Sequence, residues 1–223
     1  MSSQLFIGFA AEGITDVMFL EELLPRVFKE IVSRECTQDI DIFIHNIVVK
    51  KTDLNFSEFV VAASHEGMNN YGIMALAVHA DADKFTYEER RNNKIIPAQE
   101  ALFAQEDSSC CKILLPIIPV KMTESWMLAD KQLFKDEINT KLSDQDLGLT
   151  RQPEVMANPK DVIKEAIRIA TENLPKRRTK VSIEDLYSSI GSQISIKKLE
   201  TLSSFLKFED EIRNTLQLLH YLP

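Results

Sequence analysis

The chain has 223 residues, 44% of them hydrophobic and 27% charged, with a formal net charge of -8. These values suit an ordinary globular core, and no apolar run approaches the ~20 residues that span a bilayer. An acidic surface repels polyanions, so contact with nucleic acid requires a local basic strip, a metal or a basic partner.

The N-terminal stretch MSSQLFIGFAAEG has neither a basic n-region nor a cleavage-like site, so no secretory signal is expected. Three cysteines, Cys36, Cys110 and Cys111, fit neither a disulfide framework nor a zinc-site spacing. We therefore expect reduced thiols and a cytoplasmic protein.

LFIGFAA, from Leu5, reads as a short buried strand closed by a turn at Glu12-Gly13. Thr15 can cap the helix that follows, with Asp16 in its first turn and Pro25 kinking or dividing it. DIFIHNIVV, from Asp41, alternates and is rich in Ile and Val, a second strand. NFSEFVVAASHEGM is a helix that starts near Asn55 or Ser57, and IMALAVHA is a third strand, apolar enough to be buried on both faces. A polar helix interrupted near Pro97 leads to KILLPIIPV, whose two prolines place it at a sheet edge or at its own end.

Strand and helix alternate through roughly the first 120 residues, as expected of an α/β open parallel sheet with flanking helices and right-handed crossovers. Beyond Val120 the segments are mostly helical, and the polar stretch 139–158 is the expected hinge. The expected organisation is an α/β domain over residues 1–135, with a helical C-terminal region, 136–223, packed on it.

In such sheets ligands gather outside the carboxyl ends of the strands. Glu12 follows the first strand, while Asp81 and Asp83 follow the third, in HADAD. Carboxylates crowded at one edge repel unless a hard cation neutralises them, and oxygen ligands favour Mg²⁺ or Mn²⁺ over zinc. His79 reads either as a proton relay or as a satisfied strand-end histidine. Asp16 reads either as a member of the metal site or as a first-turn acid. Lys121, three residues before Glu124, either reaches a scissile phosphate or is solvated. Trp126 either stacks on a base or belongs to the core.

E-G-x-T-D (Glu12, Gly13, Thr15, Asp16) after a first strand, with D-x-D (Asp81, Asp83) after a third, resembles the TOPRIM domain of topoisomerases, primases, small ribonucleases and OLD-type nucleases. PVKMTESWMLAD (Pro119 to Asp130), NPK (Asn158 to Lys160) and the late I-G…L…SF…F (Ile190 to Phe208) resemble a narrower group of small stand-alone TOPRIM-like proteins. Members of that group often sit beside ATPases in bacterial defence loci. The resemblance covers nearly the whole chain. It implies that Glu12 is a metal ligand or general acid/base, that Asp81 and Asp83 hold Mg²⁺ or Mn²⁺, and that Glu124 supplies another acid to the metal site; Lys121, from its spacing to Glu124, completes the expected catalytic set.

The function expected from this is metal-dependent phosphodiester hydrolysis of DNA or RNA in phage defence, beside a partner ATPase; homo-oligomerisation is left open. Basic strips that could meet the backbone are Lys50-Lys51, Lys176-Arg177-Arg178 with Lys180, and Lys197-Lys198. The alternative is a non-catalytic TOPRIM-like interaction subunit. A phosphotransferase lacks a Gly-rich phosphate loop here. No tyrosine has the setting of a topoisomerase nucleophile, and no zinc module suggests a primase.

Overall fold

The computed structural model describes residues 3–50, 53–106, 109–172 and 181–223. The first apolar run forms β1 (Ser3–Ala10), whose last four residues are all buried. It leads into α1 (Ile14–Glu35) through Gly13, which occupies the N-cap position without a side-chain cap. Thr15 therefore lies inside the helix and does not cap it. Pro25 also falls within α1, which runs unbroken past it. The proline sits on the exposed side, where water can satisfy the carbonyl it leaves unbonded, while Leu23, Leu24, Val27 and Phe28 hold the inner face in the core.

β2 (Ile40–Asn46) is followed by α2 (Phe56–Tyr71), which opens on a reciprocal capping box between Asn55 and Glu58. Then comes β3 (Ala75–His79), buried at every position. α3 (Tyr87–Arg90) passes through a π-helical turn, Arg91–Ile95, into α4 (Ile96–Phe103). Pro97 sits at the start of α4 and has no N–H for the preceding turn, which is why the expected interruption falls here. β4 (Leu114–Ile117) carries Pro116 at the sheet edge, the position such a residue tolerates.

The four strands pair in the order β2-β1-β3-β4, all parallel. Pleating sends Leu5, Ile7, Phe9, Ala75, Ala77, Leu115 and Ile117 into one core with α1, and Leu76 and Val78 into a second core on the opposite face. The remaining helices are α5 (Thr123–Met127), α6 (Lys131–Glu137), α7 (Pro159–Thr171), α8 (Leu186–Gln193), α9 (Ile196–Leu199) and α10 (Ser203–Leu218). Buried residues from all six join the α1 core, together with Leu147, Leu149 and Met156 from the stretch expected to be a hinge. The core is thus continuous across residue 135, which itself lies within α6. No helix among the described residues is long and apolar enough to cross a membrane.

Trp126 belongs to this core and is not a base-stacking platform. It is fully buried, meets Phe205 edge-on at 5.2 Å between ring centroids, and donates its indole N–H to Ser204 Oγ at 2.8 Å.

α8 lies against α1 at Gly191, and Arg26 of α1 donates to the carbonyls of Gly191 (2.8 Å) and Ile194 (2.6 Å) at the end of α8. A guanidinium there satisfies carbonyls that the helix itself leaves open. A Cβ at position 191 would stand 2.6 Å from the Phe19 carbonyl oxygen, a backbone atom that cannot swing aside. Gly191→Ala should therefore lower stability by about 1–3 kcal/mol through overpacking, read as a fall in the thermal midpoint. An unchanged midpoint would mean that the two helices can part without cost.

Candidate functional site

The strand order places β1 and β3 side by side, with the chain leaving β1 toward β2 on one side and β3 lying on the other. This switch in direction opens a crevice at the carboxyl ends of β1 and β3, where an open α/β sheet collects ligands. Glu12 and Gly13 follow β1 there, and Asp81 follows β3. A neighbouring cleft of about 210 Å³ extends along the ends of β1 and β2 and includes Glu12, Gly13, Asn46 and Val48 in its lining.

His79 is the last residue of β3, on the α1 face of the sheet, and only 2% of it is exposed. Its Nε2 lies 3.1 Å from Asp81 Oδ1, and its Nδ1 lies 3.9 Å from Asp16 Oδ2. Asp16 reaches this point from the first turn of α1 because Gly13 leaves space for it: a Cβ at Gly13 would collide with Asp16 Oδ2. Gly13 thus makes room for Asp16. Thr123, at the start of α5, ties the group together. Its backbone N–H donates to Asp81 Oδ1 at 3.0 Å, its hydroxyl donates to Asp16 Oδ1 at 2.6 Å, and the same oxygen lies 3.1 Å from His79 Nε2.

One ligand atom each from Asp16, His79 and Asp81 can be chosen so that all lie within 4.8 Å of one another. The fit to a divalent ion is supported by His79 Nδ1, a buried polar atom with no hydrogen-bond partner. The donors are two carboxylates and one imidazole. That mixed set suits Mn²⁺ better than the all-oxygen set expected for Mg²⁺.

The other expected site residues surround this group but do not enter it. Glu12 pairs with Lys94 of the π-helical turn at 3.2 Å, and its charge still bears on His79. Asp83 adopts a left-handed backbone (φ 54°) and pairs with Arg90, which also donates to the Ala82 carbonyl at 3.2 Å. The i, i+2 spacing would keep both aspartates on one side only if the strand continued, and β3 stops at His79. Glu124 is 4% exposed. It accepts from the Tyr187 hydroxyl on α8 and lies 3.3 Å from Lys160 Nζ on α7, yet its charge still reaches Asp81. Lys121 also has a left-handed backbone (φ 68°), its carbonyl accepts from Asp83 N–H at 2.8 Å, and its side chain is partly exposed.

Lys50, Lys197 and Lys198 are exposed, whereas Lys51 and the run Lys176-Arg177-Arg178 with Lys180 lie outside the described residues. Reading the sequence alone gave Thr123, Lys160 and Tyr187 no role. Thr123 and Lys160 stand within motifs that carry the family resemblance. Tyr187 gives no local signal, because its partner is 63 positions away.

The electrostatics of the cluster follow from one imidazole among several carboxylates. Burial alone would lower the pKa of His79, but the charges of Asp81, Asp16 and Glu12 and the hydrogen bond to Asp81 outweigh it and raise the value above the usual 6.5. Burial raises the Asp81 pKa, the pairing with His79 opposes this, and the like charges of Asp16 and Glu124 add to the rise. Burial and the Glu124 carboxylate likewise push the Tyr187 phenol well above its ordinary value.

Comparison with protein families, curated proteins and solved structures finds no match for this chain.

Two outcomes follow from this geometry. Because the folded His79 holds its proton more tightly than an unfolded one, its charge stabilises the metal-free fold below about pH 6.5, and that contribution is lost as pH rises through the folded value. Imidazole ¹⁵N shifts should show His79 titrating above 6.5 in metal-free protein, and lower in Asp81→Asn; a midpoint at or below 6.5 in the parent contradicts the arrangement. Glu124→Gln should reduce stability by about 1–3 kcal/mol with or without divalent ion, because the buried carboxylate links Tyr187 and Lys160. Thermal melts with and without Mn²⁺ measure this; a loss seen only with the ion would place Glu124 among its ligands.

Proposed function

We propose that this protein is a metal-dependent phosphodiesterase acting on DNA or RNA, of the TOPRIM type that its acidic motifs resemble. The observation that carries the reading is the convergence of Asp16, His79 and Asp81 within 4.8 Å at the carboxyl edge of a parallel sheet. Asp16, His79 and Asp81 would hold Mn²⁺ or Mg²⁺, which when bound supplies a Lewis acid for the phosphate and lowers the pKa of water.

The chain's own residues supply the positioning. Thr123 aims both carboxylates, one through its N–H and the other through its hydroxyl. Gly13 admits Asp16. Glu12, half exposed just after β1, is the candidate to take the proton from an attacking water once its partner Lys94 releases it. Lys121 offers positive charge beside the same turn and is the candidate to neutralise the phosphate. In the reaction, a P–O bond forms to water while the ester P–O bond breaks, and the proton passes to the leaving alkoxide. Association with an ATPase in phage defence belongs to the same proposal and rests on the family resemblance alone.

A second reading, a non-catalytic TOPRIM-like interaction subunit, is favoured by the pairing of acids with basic groups: Glu12 with Lys94, Asp83 with Arg90, and Asp16 and Asp81 with His79. The two readings part on one experiment. Asp81→Asn and Asp16→Asn should each abolish Mn²⁺-dependent cleavage of plasmid, linear or single-stranded substrates, and should shrink the Mn²⁺-induced rise in thermal midpoint to near zero. Cleavage that persists in both variants removes this site from the reaction. A parent that gains thermal stability from Mn²⁺ but cleaves nothing favours the interaction subunit.

A further inference from the structure

β2 lies at the edge of the sheet, and among the described residues no strand pairs with its outer side. The outward polar groups can be assigned. Ser3 N–H donates to the Asp39 carbonyl at 3.0 Å, and Ile47 N–H donates to the Phe9 carbonyl at 2.8 Å. In a parallel ladder this turns the backbone groups of Asp41, Phe43 and His45 toward β1, and those of Ile40, Ile42, Ile44 and Asn46 outward. A seven-residue edge with a row of open donors and acceptors is a template for another strand unless it is blunted. β2 holds no proline, lysine or arginine, and the other edge strand, β4, has Pro116.

Both faces of this edge carry apolar or aromatic side chains, with the exposed Asp41 on one of them. On one face Phe43 stacks on Phe6 at 5.0 Å, Phe6 on His45 at 6.5 Å and His45 on Tyr71 at 4.3 Å, a row whose ends, Phe43 and Tyr71, are exposed. On the other face Ile40 and Ile42 floor a groove of about 330 Å³ between α1 and β2, walled by Lys29, Val32 and Cys36.

We infer that a second copy of this chain occupies the edge, with the two β2 strands antiparallel about a two-fold axis through Phe43. The sequence Ile40-Asp41-Ile42-Phe43-Ile44-His45-Asn46 is self-complementary in that register. Ile42 meets Ile44 of the second copy as a hydrogen-bonded pair, which uses the outward backbone groups of both. Phe43 meets Phe43 of the second copy as a non-hydrogen-bonded pair, where side chains approach most closely. Asp41 then faces His45 of the second copy, a carboxylate opposite a ring that can donate to it. Both ends of the strand gain this contact by symmetry, as an isologous interface requires. A shift of one residue would set outward groups against inward ones, and a shift of two would put His45 opposite Phe43 and lose the Asp41–His45 contact.

The test is a cross-link on the axis. In a Cys36→Ser background, Phe43→Cys places two thiols across a pair whose Cα atoms are about 4.5 Å apart, within the usual disulfide range of about 4.4–6.8 Å. Asp41→Cys instead leaves its two copies roughly 14 Å apart, four residues along the strand. Mild oxidation should convert Phe43→Cys almost wholly to a covalent dimer on a non-reducing gel and leave Asp41→Cys monomeric. Light scattering should give the parent the mass of a dimer at micromolar concentration. Phe43→Lys, which sets two like charges face to face, should raise the dissociation constant at least about tenfold. Phe43→Lys also loses the stack on Phe6, so a small fall in the monomer's thermal midpoint is expected, and a native circular dichroism spectrum should show that the variant stays folded. A monomeric parent, equal cross-linking at positions 41 and 43, or an unaltered dimer in Phe43→Lys would each overturn the inference.

Discussion

β3 is covered on both faces, by α1 and the C-terminal helices on one side and by α2 and α4 on the other, so every side chain from Ala75 to His79 must be accommodated without solvent. Four of the five are apolar and comply. The fifth, His79, ends the strand with a polar ring that is almost wholly buried, and the surrounding chain satisfies one of its two nitrogens, Nε2. A buried imidazole without partners would cost several kcal/mol. Asp81 therefore folds back to Nε2 on one side, while on the other Asp16 stops 3.9 Å short of Nδ1. The left-handed turns at Asp83 and Lys121, joined by a backbone hydrogen bond, carry the chain past this point.

The same constraint explains why the acids of this edge divide into two classes. Asp16 and Asp81 share a largely enclosed imidazole and have no lysine or arginine of their own, so their charges remain directed inward at one small volume. Glu12, Asp83 and Glu124 each meet a lysine or arginine, at Lys94, Arg90 and Lys160 respectively. A cation entering the first group has the imidazole proton to displace. One approaching the second group must displace an existing partner. The peripheral pairs limit the repulsion that several acids at one sheet edge would otherwise produce.

Much of this was legible in the sequence, and what escaped has a common cause. Alternation of apolar runs with amphipathic ones gave the parallel sheet and the burial of β3, while the prolines of β4 left a sheet edge or a strand end open, and the strand order puts β4 at the edge. Asp81 was legible as a carboxylate at a strand end. The partition of roles between Asp81 and Asp83 was not, because it turns on where β3 stops: past His79 the two-residue alternation no longer holds, so the two aspartates need not face the same way. His79 and Asp16 each had two local readings, and only their mutual approach distinguishes a cluster from a first-turn acid and a strand-end histidine. Trp126 became a core residue once α10 supplied Phe205, Phe208 and the Ser204 hydroxyl.

By itself the sequence determined the periodicities, and through them the α/β class, the faces of the strands and the edge to which the acidic motifs are carried. These are properties of neighbouring residues, set by the two-residue repeat of a strand and the 3.6-residue repeat of a helix. Tertiary structure alone decided which charges are neutralised and which are left to act. Lys160 and Tyr187 come to Glu124, and Thr123 comes to Asp16, across 36, 63 and 107 positions, because the hydrophobic face of each helix had to be buried. Burial constrains where a helix lies but imposes no local pattern on the polar residue at its end, so that pairing leaves no trace in the sequence around either partner.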